Sequence, residues 1–260
     1  MRELRIVTTS WDDGYPEDLR IAEMLRARGL AGTFYIPIQG VNGKGVLDDA
    51  AIRNLASQGF EIGGHGYSHR NLTDLSSDEL HQDVTLSVQT LEQILGRSVR
   101  MFCCPNGRIN KNVIRALKEA GLEGCRTTRM LHTNLDFRSF EMPVTLQAYP
   151  HPALAYFKNL AKKHHFHALW RYMPRVCFSA SWIELGRMLF DAVMREGGVW
   201  HLYGHSWEIE ELGLWAALEE MLDYVANCQE VLYLSNHALL VLKSPPLQQN
   251  SSQSIANCKS

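Results

Sequence analysis

Several features are missing from this chain, and each absence removes a class of function. No apolar run reaches the ~18 residues that a membrane-spanning helix requires, so no membrane span is expected. Met1 to Arg5 lead straight into a strand-like segment without a signal-peptide core, which makes the cytoplasm the expected location. Neither sign of charge dominates. Lys and Arg number 26 against 28 Asp and Glu, a formal charge of −2 that offers no general attraction to nucleic acid or anionic lipid. The six cysteines (Cys103, Cys104, Cys125, Cys177, Cys228 and Cys258) form no Cys-x-x-Cys pair, so a zinc ribbon and a disulfide framework are both disfavoured and buried free thiols are expected. No linker rich in Pro, Gly or Ser divides the interior of the 260 residues, and one domain spanning 1–243 is the simplest organisation. Only 244–260, where Pro245 and Pro246 precede Gln, Asn and Ser, is too polar to bury much surface and is expected to be a disordered tail. The sequence carries no signal of oligomeric state.

What is present is an alternation of short β-rich runs with longer helical patterns, the signature of βα units around a parallel sheet. Strands are predicted at Arg5–Trp11, Thr33–Ile36, Glu61–Gly64, Arg100–Cys104, Glu123–Thr127, Pro143–Ala148, Val199–Tyr203 and Val231–Leu234. Helices are predicted at Pro16–Arg28, Asp48–Gln58, Ser77–Leu95, Lys111–Ala120, Trp182–Glu196 and Glu210–Ala226. Residues 149–178 depart from this rhythm and read as an insertion; His164, His165 and His167 within it fit a solvated helix face better than a second metal site.

In α/β folds, chemistry gathers where strands end. The first strand ends in Ser10-Trp11-Asp12-Asp13-Gly14, two carboxylates before a glycine that permits a sharp turn. Adjacent strand residues point to opposite sides, so one Asp can bind a cation while the other transfers protons; a solvated turn or helix cap is the plainer reading of Asp-Asp-Gly. The third strand runs into His65-Gly66-Tyr67-Ser68-His69, two imidazoles four positions apart on a tight loop entering a helical turn, where they can share one ion. Two His and one carboxylate, with open positions for water and substrate, suit Zn²⁺ or a related divalent ion in hydrolysis. Further polar ends are Phe102-Cys103-Cys104-Pro105-Asn106-Gly107 and His201-Leu202-Tyr203-Gly204-His205-Ser206-Trp207, with His205 placed to act as a general acid.

In order and spacing these four segments resemble the polysaccharide deacetylase family, also called carbohydrate esterase family four. The likeness runs from about Arg5 to Leu234. It implies a single-domain α/β fold, a distorted (β/α)7 barrel, and metal-dependent removal of N-acetyl groups from sugars. Carried over by position, Asp12 would be the general base, Asp13, His65 and His69 the metal triad, and His205 the general acid. Trp11, Pro105, Asn106, Gly107, Tyr203 and Trp207 would contact substrate. The implied cofactor is a divalent metal, Zn²⁺ first, with Co²⁺, Mn²⁺ or Ni²⁺ as substitutes, and the implied partner is an oligosaccharide or smaller N-acetylated sugar.

The chain also departs from the family pattern. Cys103 stands where the family has an Arg that holds the catalytic carboxylate, and Asn106 stands where it has an aromatic residue. Arg126 or Arg129 could supply the missing charge from the fifth strand. The family's Asp that orients the general acid has no clean match, Asp136 with Arg138 being the nearest candidate. Two alternatives follow: the same machinery acting on another amide, such as a formyl group or cyclic ureide, or a catalytically silent carbohydrate-binding protein.

Overall fold

The run Arg5–Asp12 sends successive side chains to opposite faces of a strand. In the computed structural model, which describes residues 3–40, 45–152 and 181–243, this run is β1, the central strand of a parallel sheet. Seven more strands follow among the described residues: β2 Thr33–Ile36, β3 Glu61–Gly64, β4 Met101–Cys103, β5 Gly124–Arg126, β6 Leu146–Gln147, β7 Gly198–His205 and β8 Val231–Tyr233. Between and after them lie α1 Asp18–Ala27, α2 Asp49–Ser57, α3 Ser77–Leu95, α4 Lys111–Glu119, α5 Trp182–Glu196, α6 Ser206–Glu211, α7 Trp215–Val225 and α8 Asn236–Lys243.

The strand order is β5-β4-β3-β2-β1-β7-β6. β7 pairs with β1 along its whole length, while β8 takes the start of the other edge (Arg5 to Val7) and β2 its end (Ser10 to Asp12). The sheet curls until its edges meet, because Met142, just before β6, makes a parallel bridge to Arg126 of β5. The expected distorted barrel is therefore what the chain forms, with a seam held by one bridged pair. Among the described residues no helix is long and apolar enough to cross a membrane.

Helix boundaries follow local chemistry. α3 starts at a capping box, Ser76 with Glu79, and stops at Gly96 in the left-handed conformation. Its buried face, Leu80, Asp83, Val84, Ser87, Val88 and Leu91, has helical spacing but includes an acid, to which the site below gives a role. The single helix expected over 210–226 is instead two, α6 and α7, broken at Gly213 with φ 63°. α8 is an additional helix from a short apolar run, for which periodicity alone does not separate helix from strand. The bulk of the expected insertion, including His164, His165, His167, Trp170 and Tyr172, and the whole expected tail lie outside the described residues.

Two apolar cores result. Val7 and Trp11 face outward and pack with Ile21, Leu25 and Leu222 beneath the helices. Ile6 faces inward with Tyr35, Met101, Cys103, Met142 and Val199, and Leu239 and Leu240 of α8 join this inner cluster. α8 is tied there by polar contacts as well. The Thr8 hydroxyl donates to Asn236 Oδ1 (3.0 Å), Asn236 Nδ2 donates to the Tyr35 hydroxyl (2.9 Å), and the Asn236 amide donates to Thr33 Oγ1 (3.0 Å). Asn236→Ala strands two buried hydroxyls and should cost about 2–4 kcal/mol. Urea unfolding measures this, and a loss below about 1 kcal/mol would show that the network does not hold the helix in place.

Candidate active site

The first site residues come from the end of β1. Asp12 is the last strand residue and is buried, its carboxylate accepting a hydrogen bond from Arg126 Nη2 through Oδ1. Strict alternation would turn Asp13 outward with Trp11. Asp13 instead adopts φ 78°, a left-handed conformation that Asp tolerates better than most residues, and its carboxylate comes back to the mouth of the barrel.

There it meets the loop after β3. That strand ends in Gly63 and Gly64, and a Cβ on Gly63 would stand 2.5 Å from the Tyr35 ring, so only glycine lets the loop start here. The loop contains no helical turn around the two imidazoles, contrary to expectation; His69 sits at φ 53°. Asp83 of α3 fixes its shape by accepting from the Tyr67 and Ser68 amides (2.8 and 3.1 Å) and from the Ser68 hydroxyl. His65 Nε2 and His69 Nε2 then lie 3.4 and 3.1 Å from Asp13 Oδ1.

The donor set tests whether a cation belongs there. His65 Nδ1 is 2.7 Å from the Cys103 carbonyl, which can only accept, so Nδ1 carries a proton and Nε2 is the nitrogen turned toward Asp13. A lone pair facing a carboxylate oxygen needs a proton or a cation between them. Ligands about 2.0–2.2 Å from a tetrahedral Zn²⁺ stand about 3.3 Å apart, close to the separations seen. Trp207 Nε1 donates to Asp13 Oδ2 at 2.9 Å, leaving Oδ1 for the ion. Burial alone would raise the Asp13 pKa, but hydrogen bonds to His65 and His69 outweigh it and hold the carboxyl well below the usual range. Asp12, His65 and Cys103 also converge, yet Asp12 is committed to Arg126 and burial pushes the Cys103 thiol up, so the Asp13 triad is the better metal site.

Arg126 answers the loss of the family arginine. It stands opposite Cys103 in the β4–β5 ladder, fully buried, its guanidinium 5.2 Å from the Tyr35 ring and 4.7 Å from that of Tyr203. The charge has moved one strand sideways at the same register. Arg129 has a different task, donating to the Glu141 carbonyl (2.9 Å).

His205 ends β7, with Nε2 3.9 Å from Asp12 Oδ2 and Nδ1 2.7 Å from Glu208 Oε2. Burial lowers its pKa, but the Glu208 hydrogen bond and the charges of Asp12 and Asp13 prevail, and the imidazolium is pushed up to about 9. Asp136 is not the orienting acid: it is exposed, and its amide bonds Asn134, while Arg138 pairs with Glu141. Glu208 takes that place, and the signal was a His-x-x-Glu spacing across the first turn of α6.

The proposed substrate contacts divide. Asn106 is exposed, with its amide on Asn71 Oδ1 (2.8 Å), and Gly107 and Trp207 are half-buried at the mouth. Trp11 is 0% exposed in the outer core, its indole lying against Gly204, so it packs and does not touch substrate. Pro105 and Tyr203 are also buried.

Arg126→Met leaves Asp12 buried and unpaired, and should destabilise the fold by about 3–5 kcal/mol, most of it recovered in the Arg126→Met/Asp12→Asn double variant. Additive losses in a denaturant-unfolding cycle would contradict that coupling. Trp207→Phe should weaken zinc binding about 10–100-fold in a chelator competition, whereas unchanged affinity removes Trp207 from the support of Asp13.

With this geometry in place, comparisons locate the chain among known proteins. The family model "Polysaccharide deacetylase" matches residues 2–125. The chitooligosaccharide deacetylase of Azorhizobium caulinodans is 27% identical over 138 residues, 52% of this chain and 60% of the relative. The peptidoglycan-N-acetylglucosamine deacetylase of Bacillus cereus is 25% identical over 111 residues, 42% of this chain and 39% of the relative. These matches span less than two thirds of the relatives' own length. A solved polysaccharide deacetylase candidate from Mycobacterium smegmatis superposes over 94% of this chain and 93% of its own with a TM-score of 0.67 at 20% identity, which establishes a shared fold. Residues 2–125 are thus similar in sequence to polysaccharide deacetylases, and nearly the full length shares its fold with a solved candidate of that kind.

Proposed function

We propose that this protein is a metal-dependent hydrolase that removes the acetyl group from an N-acetylated sugar. The observation that carries the reading is the convergence of Asp13, His65 and His69 beside a carboxylate clamped by Arg126 and an imidazolium clamped by Glu208. The names of the two curated relatives support the substrate class. Two imidazole nitrogens and a carboxylate oxygen with an open position are the donors of catalytic zinc, and Co²⁺, Mn²⁺ and Ni²⁺ can use the same set. When bound, such an ion polarises the amide carbonyl and brings the pKa of water down toward ~7.

The chain's own residues divide the proton work. Arg126 occupies Asp12 Oδ1, so Oδ2, which faces the Cys103 thiol at 3.7 Å and His205 Nε2 at 3.9 Å, is the oxygen left to take a water proton. As water oxygen bonds to the carbonyl carbon, that proton passes to Asp12 Oδ2. The C–N bond then breaks with transfer of the His205 Nε2 proton to the departing nitrogen, giving acetate and a free amine. An amine anion is a very poor leaving group, so the acid must stay protonated at working pH. Glu208 secures this by anchoring Nδ1.

The test is acetate release from a panel of N-acetylated sugars with Zn²⁺, Co²⁺, Mn²⁺ or Ni²⁺. Activity should vanish on chelation and return with metal, and Asp12→Asn or His205→Ala should each lower kcat about 10²–10⁴-fold. Because the acid is active only when protonated and its pKa is raised to about 9, the basic limb of kcat should fall near that pH and not near the ordinary histidine value of about 6.5. A metal-loaded protein that releases no acetate from any sugar in the panel counts against the assignment.

A further inference from the structure

Gln147, one residue of the short strand β6, has no place in the reaction above, yet its side chain is 6% exposed and fully engaged. Its carbonyl Oε1 accepts from the Tyr203 hydroxyl (2.6 Å) and from His151 Nε2 (2.7 Å). The Glu208 carboxylate can only accept, so the amide has one sensible orientation, with Oε1 toward the Tyr203 hydroxyl and His151. Its Nε2 must then point the other way, and it does, donating to Glu208 Oε2 at 3.0 Å. That same oxygen takes the His205 Nδ1 proton at 2.7 Å.

These contacts close a ring. Asp12 is held by Arg126, Arg126 lies on the Tyr203 ring, Tyr203 bonds Gln147, Gln147 bonds Glu208, Glu208 bonds His205, and His205 faces Asp12 again at 3.9 Å. Every member but Gln147 is either a catalytic group or touches one directly. We infer that Gln147 is a positioning residue that fixes the Glu208 carboxylate against His205 by a chain of contacts running back to Asp12. The inference rests on the hydrolase reading for its effect on rate, but not for its effect on His205 itself. Without the Gln147 donor, Glu208 is free to turn toward solvent, and His205 loses the partner that keeps Nδ1 protonated and Nε2 directed at Asp12.

The titratable groups that face His205 are Asp12 and Asp13 at the end of β1, Glu208 on α6 and buried Asp18 at the start of α1. Burial keeps Asp18 protonated, so it adds little charge and Glu208 is the contact that a change at position 147 can alter. Gln147→Met keeps the volume and removes both hydrogen-bonding ends. In the zinc-loaded protein, the ¹⁵N NMR titration of the His205 ring should move down toward the ordinary value of about 6.5, and kcat should fall about tenfold at pH 8 with its basic limb moving the same way. KM and zinc affinity should stay within about twofold, which separates positioning from general loosening of the fold. Tyr203→Phe, which keeps the ring on Arg126 but removes the anchor of the amide, should give a smaller shift in the same direction and serves if the methionine variant does not fold.

An unmoved His205 titration in a folded variant overturns the inference, as does a loss of zinc affinity or stability with the titration unchanged. If the titration moves but no acetylated sugar is hydrolysed by the wild-type protein, the positioning role stands and the deacetylase reading falls. If sugars are hydrolysed and the titration does not move, the reverse holds.

Discussion

One buried ion pair organises this molecule. Arg126 is wholly enclosed by the barrel; among the described residues its Nε and Nη1 make no hydrogen bond and Asp12 is its one anionic partner. Removing a guanidinium from water costs several kcal/mol even after relaxation. Asp12 and the faces of two tyrosine rings are what offset that cost here. The arrangement is poor value as pure stability, since an apolar pair of equal volume would do as well or better. What it secures is chemical: one oxygen of Asp12 is fixed on the guanidinium, and the other is turned toward His205 and the Cys103 thiol.

The polar character of the barrel interior follows from that choice. Ser10 Oγ lies 2.9 Å from His201 Nε2, and His201 Nδ1 lies 3.2 Å from the Pro143 carbonyl, so a fully buried imidazole is paired at both nitrogens. Burial and the neighbouring Arg126 charge hold its pKa down at about 3, and it remains neutral. A second cation beside Arg126 would have no counter-ion. Below that layer the Thr8, Asn236 and Tyr35 contacts close the floor. The inner core is thus a graded stack, apolar and hydrogen-bonded at the bottom and ionic at the top, with the outer core beneath the helices supplying most of the apolar burial.

The parts of the site that are contiguous in sequence could be read from it. Asp12-Asp13, His65 with His69, and His205 each sit at the end of an apolar run, and the hydrophobic pattern places strand ends well. Parts created by folding could not be read in the same way. Glu208 reaches His205 across a helical turn that begins within the motif, and Asp83 reaches the histidine loop from a helix more than a dozen residues away. Asp83 did leave a trace, as an acid on the buried stripe of α3. Alternation of side chains failed at Asp13, because a single left-handed residue overrides the strand period. It also leaves Trp11 on the outer face, behind the site that its neighbours build. Gln147 was hidden altogether, since a two-residue strand has too few positions to show which face is inside.

The pairing of Cys103 with Arg126 bears on how a site in this fold can diverge. Residues paired across a parallel ladder project into the same space, so a functional group can migrate between adjoining segments while its terminus scarcely changes place. Read position by position along the chain, that migration looks like two unrelated changes. Judged by ladder partners, the same chain keeps a guanidinium on Asp12 by a lateral swap, one strand over from Cys103.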